Sequence, residues 1–298
     1  MKLNPFYVFL LVAAGSLLLP AIGFCSQTEA TNRTPDLLFY SGNAPTQFIV
    51  VEKRDQKLSL FEHQDSVRLI KQFTCATGEN PGTKKISGDS RTPEGIYFIT
   101  EIYADKRITV FGSRAFHLDY PNIFDTHAGH LGDGIFIHGT NKTLVPNSTN
   151  GCITLSNQDL DELAPYLTID AIPVIVLDAL SEPLIGKNFR LEADSRRFQE
   201  VLDNLSFDGK KIPVHDIQAL SFLKQGNQAV ASIKYATYEG DHIQYREKFR
   251  TYLTQSLSGG WRRIYAVQSQ ERTPLLLALQ PVKNDLVTKA AAAPLVAA

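Results

Sequence analysis

Gly134-Ile135-Phe136-Ile137-His138-Gly139-Thr140, followed after nine intervening residues by Asn150-Gly151-Cys152-Ile153-Thr154-Leu155, decides how this 298-residue chain is read. The first string is a short apolar run that ends on a histidine, as a strand would that presents its last side chain to solvent. The second places a Gly-Cys pair thirteen residues beyond His138 and just ahead of a helix signal. A thiol needs a base nearby to become a thiolate, and that base needs a rigid element to hold it in reach. The question is whether Cys152 is a nucleophile or a small buried hydrophobe.

Working outward, Ser156 followed by Asp159 is a capping-box-like start, and Leu160, Leu163 and Leu167 recur at helical spacing. Pro165 should kink that helix or end it early. Upstream, Phe48 to Val51 reads as a strand, Arg54-Asp55-Gln56 as a turn, and Leu58 and Leu60 as the return strand. Val67, Leu69, Phe73 and Cys75 share one parity, which predicts one common face. Ile96 to Thr100, Ile108 to Phe111, Ile135 to His138 and Val174 to Leu177 read as further strands. A connector with Pro183 and Gly186 leads to a helix around Phe198, Val201 and Leu202, then strands near Val214–Leu223, Val230–Tyr238, Gln244–Leu253 and Trp261–Val267. The expected class is mainly β with α+β character: a β-rich domain over 46–178, a smaller α+β domain over 190–270, and an Ala-rich tail over 280–298.

The N-terminus reads as an export signal. Lys2 is followed by an apolar run from Phe6 to Leu19, broken only by Gly15 and Ser16 and stopped by Pro20. That run is shorter than the ~20 apolar residues of a bilayer span. Residues 1–25 are therefore expected to be a signal peptide, with an uncleaved anchor as the alternative, and the polar segment 26–45, with Pro35 and Pro45, a linker. If Cys25 leaves with the signal, Cys75 and Cys152 remain, either bridged or as a structural Cys75 beside a reactive Cys152. A net charge of −1 gives no reason to expect nucleic acid or an anionic membrane surface as partner.

In chain order, Thr77-Gly78, Arg91-Thr92-Pro93-Glu94-Gly95, Leu118-Asp119-Tyr120-Pro121-Asn122, His138-Gly139-Thr140 and Gly151-Cys152-Ile153 resemble the bacterial L,D-transpeptidase catalytic domain (the YkuD type). The likeness runs from about Phe48 to Asp178. It implies a β-sandwich with a cleft, followed by a curved-sheet domain, and a periplasmic thiol enzyme that acts on peptidoglycan stem peptides without metal or cofactor. By this resemblance Cys152 attacks the carbonyl of the third stem residue and releases the terminal D-alanine, while His138 takes the thiol proton. The Gly139 carbonyl is the third partner. Gly151 lets backbone approach substrate, so that amides around Gly151 and Cys152 can face an oxyanion. Asn150, Thr154, Tyr120 and Arg91 complete the set of candidate substrate-binding residues. The acyl group then passes to an amine, from another stem peptide or an envelope protein, or to water.

Two positions depart from the pattern. The family commonly carries His before the Gly-Cys pair and Arg two residues after the Cys; this chain has Asn150 and Thr154. His138 is thereby the only histidine of the motif, and a cation is lost for which Arg91, Arg107, Lys84, Lys85 and Lys142 are candidate substitutes. The departures leave open an L,D-carboxypeptidase on the same stems, or a non-catalytic envelope-binding module.

The remaining signals are weaker. Asp125, His127, His130, Asp133 and His138 are zinc-type ligands without a strong zinc spacing, so no metal is expected. Cys75 reads as core or cleft wall, and His63 and His117 as polar residues within or beside strands. Arg91 and Glu94 either line the cleft entrance or flank a turn made by Pro93 and Gly95. The C-terminal pattern, ending in Gly259-Gly260-Trp261-Arg262-Arg263-Ile264, resembles the later half of a nuclear-transport-factor-two-like fold; Trp261 and Tyr245 are pocket floor or core.

Overall fold

The computed structural model describes residues 35–41, 45–104, 111–192, 195–205, 217–239, 242–256, 260–268 and 273–274. The export signal, Arg107, the Ile108–Val110 part of an expected strand and the tail fall outside the described residues.

The apolar run Phe48 to Val51 lies in β2 (Thr46–Glu52) and is buried on both faces. That is the pattern of a central strand with packing above and below. β2 pairs antiparallel with β3 (Lys57–His63), which pairs with β4 (Val67–Thr74). The remaining strands of this sheet are β5 (Gly95–Tyr103), β6 (Ala115–Leu118), β7 (Phe136–Thr140), β8 (Ile153–Ser156) and β9 (Pro173–Leu177). The order across the eight strands is β4-β3-β2-β9-β5-β6-β7-β8, with parallel pairs at β2–β9 and β7–β8.

Parity sorts the side chains into two cores. Ile49, Val51, Tyr97, Ile99, Val174 and Val176 join Ile137, Ile153 and Leu155 in one. Phe48, Val50, Ile96, Phe98, Ile175 and Leu177 face the other way and meet Leu37, Phe39, Leu223, Val230 and Tyr252. The second core is therefore shared with a second sheet, in the order β1-β10-β11-β12-β13. Its strands are β1 (Asp36–Ser41), β10 (Ile217–Gln225), β11 (Gln228–Glu239), β12 (His242–Gln255) and β13 (Trp261–Gln268), with the two-residue β14 (Thr273–Pro274) pairing with β12 off that path. Helix α3 (Arg196–Leu205) covers its far face through Phe198 and Val201.

Two expectations are corrected here. Residues 36–41 are not linker: they form β1, which pairs antiparallel with β10 and buries Leu37 and Phe39 in the shared core. Val67 and Phe73 do not share a face either. A register shift opposite Leu60 and Phe61 inserts one extra residue into β4, so Val67 points into the shared core, Phe73 into the other, and Leu69 is exposed. An extra residue in one strand reverses parity beyond it.

The helix after the Gly-Cys pair forms as its caps predict. α2 (Asn157–Leu163) is capped by Ser156, whose hydroxyl accepts from the Asp159 amide, and gives way at Pro165 to a 3-10 turn over Ala164–Tyr166. A short helix α1 (Ile123–His127), capped reciprocally by Asn122 and Asp125, was not expected.

Candidate active site

His138 sits mid-β7 and Cys152 immediately precedes β8, so two adjacent parallel strands carry the two residues. Thr154 is the direct cross-strand partner of His138, and Cys152 stands two residues earlier on the same face. Cys152, His138, Thr154, Asn150, Phe111 and Lys142 line one cavity of about 590 Å³.

The imidazole is fixed at both nitrogens. Nδ1 lies 2.7 Å from the Gly139 carbonyl oxygen, and Nε2 lies 3.1 Å from Thr154 Oγ1. A carbonyl can only accept, so Nδ1 carries the proton and Nε2 is the basic nitrogen. Burial lowers the pKa of His138, opposed by the bond to Gly139. The Phe111 ring packs beside it at a tilt, 5.1 Å between centroids and 56° between planes.

The thiol donates to the Gly134 carbonyl at 3.5 Å. Burial raises its pKa, while the Phe136 amide and the charge of Lys84 work the other way. With the thiol shifted up and the imidazole down, the pair is neutral at pH 7. Cys75 and Cys152 are both free, so a bridge between them is excluded; Cys75 is fully buried, and burial pushes its thiol up to about 12.

One hydroxyl joins three of the short strings. Thr92, fully buried, accepts from the Gly78 amide at 2.8 Å and donates to the Gly151 carbonyl at 2.9 Å. Gly151 has φ +130°, and a Cβ there would stand 2.6 Å from the Arg91 carbonyl oxygen, so only glycine fits. Thr149 closes the same turn, accepting from the Gly151 amide at 3.1 Å and donating to the Cys152 carbonyl at 2.7 Å. The Gly151 amide is thus already engaged, which corrects its expected place among the oxyanion donors. Behind the turn, the Gln56 carboxamide oxygen accepts from the amides of Thr77 and Asn147, tying the loop before Cys152 to the β2–β3 turn.

The other expected residues divide. Asn150 is exposed on the cavity lining, its Oδ1 3.3 Å from Ser90 Oγ. Tyr120 is buried in the core, away from the cavity lining, and its hydroxyl donates to the carbonyls of Leu131 at 3.2 Å and Lys84 at 3.4 Å. The sequence string holding Tyr120 therefore pins loops rather than contacting the cavity. Arg91 is half-buried and does not line the cavity; its carbonyl packs on Gly151. Glu94 is buried against Lys53 at 2.8 Å, a structural pair rather than a cleft entrance.

Of the substitute cations, Lys142 lines the cavity, whereas Lys84 is buried 2.9 Å from Asp89. Among the described residues no three His, Cys, Asp or Glu side chains gather as metal ligands; His130 instead faces Asp125 at 3.4 Å. His63 is buried at the end of β3 and accepts from the Phe189 amide at 3.2 Å, while His117 Nδ1 meets Thr100 Oγ1 at 2.8 Å. Thr92 and Gln56 were missed because each acts through partners far away in sequence, and Thr149 because its bonds to the neighbouring Gly151 and Cys152 form only in the folded turn. Only the Arg91-Thr92-Pro93 string hinted at one of them.

Residues 46–176 match the family model of the L,D-transpeptidase catalytic domain, YkuD. This part of the chain is a YkuD domain. The chain is also similar to solved structures over more than this domain. Bd1075 from Bdellovibrio bacteriovorus shares 21% identity over 79% of this chain and 98% of its own, with a TM-score of 0.57. The helical cell shape determining protein Pgp2 from Campylobacter jejuni shares 21% over 78% of this chain and 94% of its own, with a TM-score of 0.53. At that identity the likeness shows the fold, β-rich with curled sheets. No curated protein matches the chain.

Proposed function

We propose that the YkuD domain is a periplasmic cysteine acyltransferase of peptidoglycan stem peptides. The observation that carries this reading is the orientation of His138: its Nδ1 proton is held by the Gly139 carbonyl, which leaves Nε2 basic on the cavity that Cys152 also lines. The stem carbonyl enters that cavity, the thiol turns from Gly134 toward Nε2, and His138 takes its proton as sulfur bonds to carbon. The Cys152 amide is the donor assigned to the oxyanion, since that of Gly151 is engaged with Thr149. The imidazolium then protonates the departing D-alanine amine, leaving a thioester. An amine acceptor, from a second stem or an envelope protein, gives the transpeptide; water gives a trimmed stem. Lys142 on the cavity lining is the cation placed for a stem carboxylate. Export by the N-terminal segment supplies the compartment in which such stems occur. The second sheet with α3 is read as the nuclear-transport-factor-two-like unit, on its antiparallel β10–β13 meander.

The test is incubation of the chain with defined tetrapeptide muropeptides, reading products by mass. Cross-linked dimers or exchanged D-residues support transfer, and tripeptides support the hydrolytic alternative. No product with the parent chain, or unchanged products from Cys152→Ala, overturns the reading in favour of a binding module.

A further inference from the structure

The hydrogen bonds of His138 give Thr154 a task, which rests on the reading of His138 as the base for Cys152. Gly139 fixes the proton on Nδ1, and burial keeps the ring neutral, so Nε2 presents a bare lone pair. Thr154 Oγ1, 3.1 Å away, is therefore the donor in that contact. Thr154 is buried, and β7–β8 register sets it squarely opposite His138. The shift of His138 comes from burial and the Gly139 bond; Gly139, Thr154 and the Phe111 ring contact the imidazole, while Cys152 and the charged Lys142 line the same cavity.

The geometry points to Thr154 as the positioning residue of the base, its hydroxyl satisfying Nε2 in both protonation states. While the ring is neutral the hydroxyl donates to Nε2. When Nε2 takes the thiol proton, the hydroxyl rotates and accepts from Nε2–H. An arginine in this place offers donors only and carries a charge that repels the imidazolium; valine offers neither role. A bond to an ionised partner is stronger than one between neutral groups, so losing the hydroxyl penalises the imidazolium more than the imidazole. Thr154 thus raises the basicity of a ring that burial has lowered.

The test uses Thr154→Val, with Thr154→Ala as a second variant that removes the oxygen and crowds nothing, and Thr154→Ser as the conservative rescue. In a Cys152→Ala background, the imidazole of His138 is titrated by NMR. The expected result is a lower His138 pKa in the Val and Ala variants, cutting the imidazolium fraction at pH 7 roughly tenfold, with Ser unchanged. In chains that keep Cys152, the rate of its alkylation by iodoacetamide at pH 7 falls by about the same factor with Val or Ala and is restored by Ser. An identical His138 titration in all variants, or a fall in rate that Ser does not restore, overturns the proposal. Failure of the parent chain to turn over muropeptides would sink the acyltransferase reading instead, and the titration of His138 does not depend on it.

Discussion

Thr92→Val is the sharpest test of how the site is assembled. Thr92 is fully buried, and its one hydroxyl serves the Gly78 amide at 2.8 Å and the Gly151 carbonyl at 2.9 Å. Valine keeps the shape and replaces that oxygen with a methyl, so one donor and one acceptor lose their partner in a dry environment. Each such orphan costs about 1–3 kcal/mol, which sets the expected destabilisation near 3 kcal/mol once some relaxation is allowed. Thr92→Ser retains the hydroxyl and loses a methyl group, a cost of about 1 kcal/mol. Urea unfolding followed by circular dichroism measures both. The Gly151 carbonyl belongs to the turn that aims Cys152, so the Val variant is also expected to lose most of its Cys152 acylation, and the Ser variant to keep it. A Thr92→Val chain within about 0.5 kcal/mol of the parent, with parental acylation, would refute the claim that this hydroxyl holds the turn.

Cys75, with its thiol pushed up to about 12 by burial, is expected to stay unlabelled by iodoacetamide at pH 8 in the folded chain while Cys152 is modified; mass mapping that finds both labelled at similar rates rejects the burial argument. Gly151→Ala forces a side chain into φ +130° with its Cβ 2.6 Å from the Arg91 carbonyl oxygen, so a stability loss of at least about 2 kcal/mol and a mis-aimed Cys152 are expected. A normal melting temperature with normal acylation contradicts it. Asp119 accepts from the Phe98 amide at 2.7 Å and the Tyr252 hydroxyl at 3.1 Å, yet burial raises its pKa from 3.8 to about 6, with Arg250 pulling it down and Asp125 adding to the rise. The folded carboxyl holds its proton more tightly than the unfolded one, so its contribution to stability is complete below the unfolded value and is lost as pH rises through about 6. The loss is at most about 3 kcal/mol, and Asp119→Asn should flatten the stability profile between pH 4 and 7. An unchanged slope rules Asp119 out as its source.

How far the sequence could be read depended on the range of the interactions involved. β2, β9 and α2 were legible because their signals are local: continuous apolar runs for strands buried on both faces, and a Ser-Asp cap with Pro165 as terminator. The order and spacing of His138, Gly139 and Cys152 follow a family pattern, and the fold sets His138 and Gly139 in β7 with Cys152 immediately before its neighbour β8. β1 was not legible, since its partner β10 lies about 180 residues downstream and Pro35 and Pro45 bracket it. The parity error in β4 came from a bulge, a one-residue insertion that leaves no local mark. Tyr120 was misplaced because a family string shows that a residue matters, not whether it faces the cavity or, as here, holds the Lys84 and Leu131 loops from below.

The two opposed pKa shifts at the site carry a consequence for reactivity. Burial is the leading cause of both, raising Cys152 and lowering His138, so the charge-separated thiolate–imidazolium pair is disfavoured on each side in the free protein. The thiol's bond to Gly134 reinforces the neutral form, since its proton points at a carbonyl and not at Nε2. A substrate that fills the cavity excludes more water and disfavours free charges further. Proton transfer must then accompany sulfur–carbon bond formation, because only then does the negative charge move from sulfur to an oxygen that the Cys152 amide can meet. On the acyltransferase reading, such a site reacts more readily with a carbonyl positioned in the cavity than with small alkylating agents, which offer no such oxygen. Given equal access, a nucleophile of this kind shows a larger gap between its proper acyl donor and iodoacetamide than a cysteine resting as a preformed ion pair.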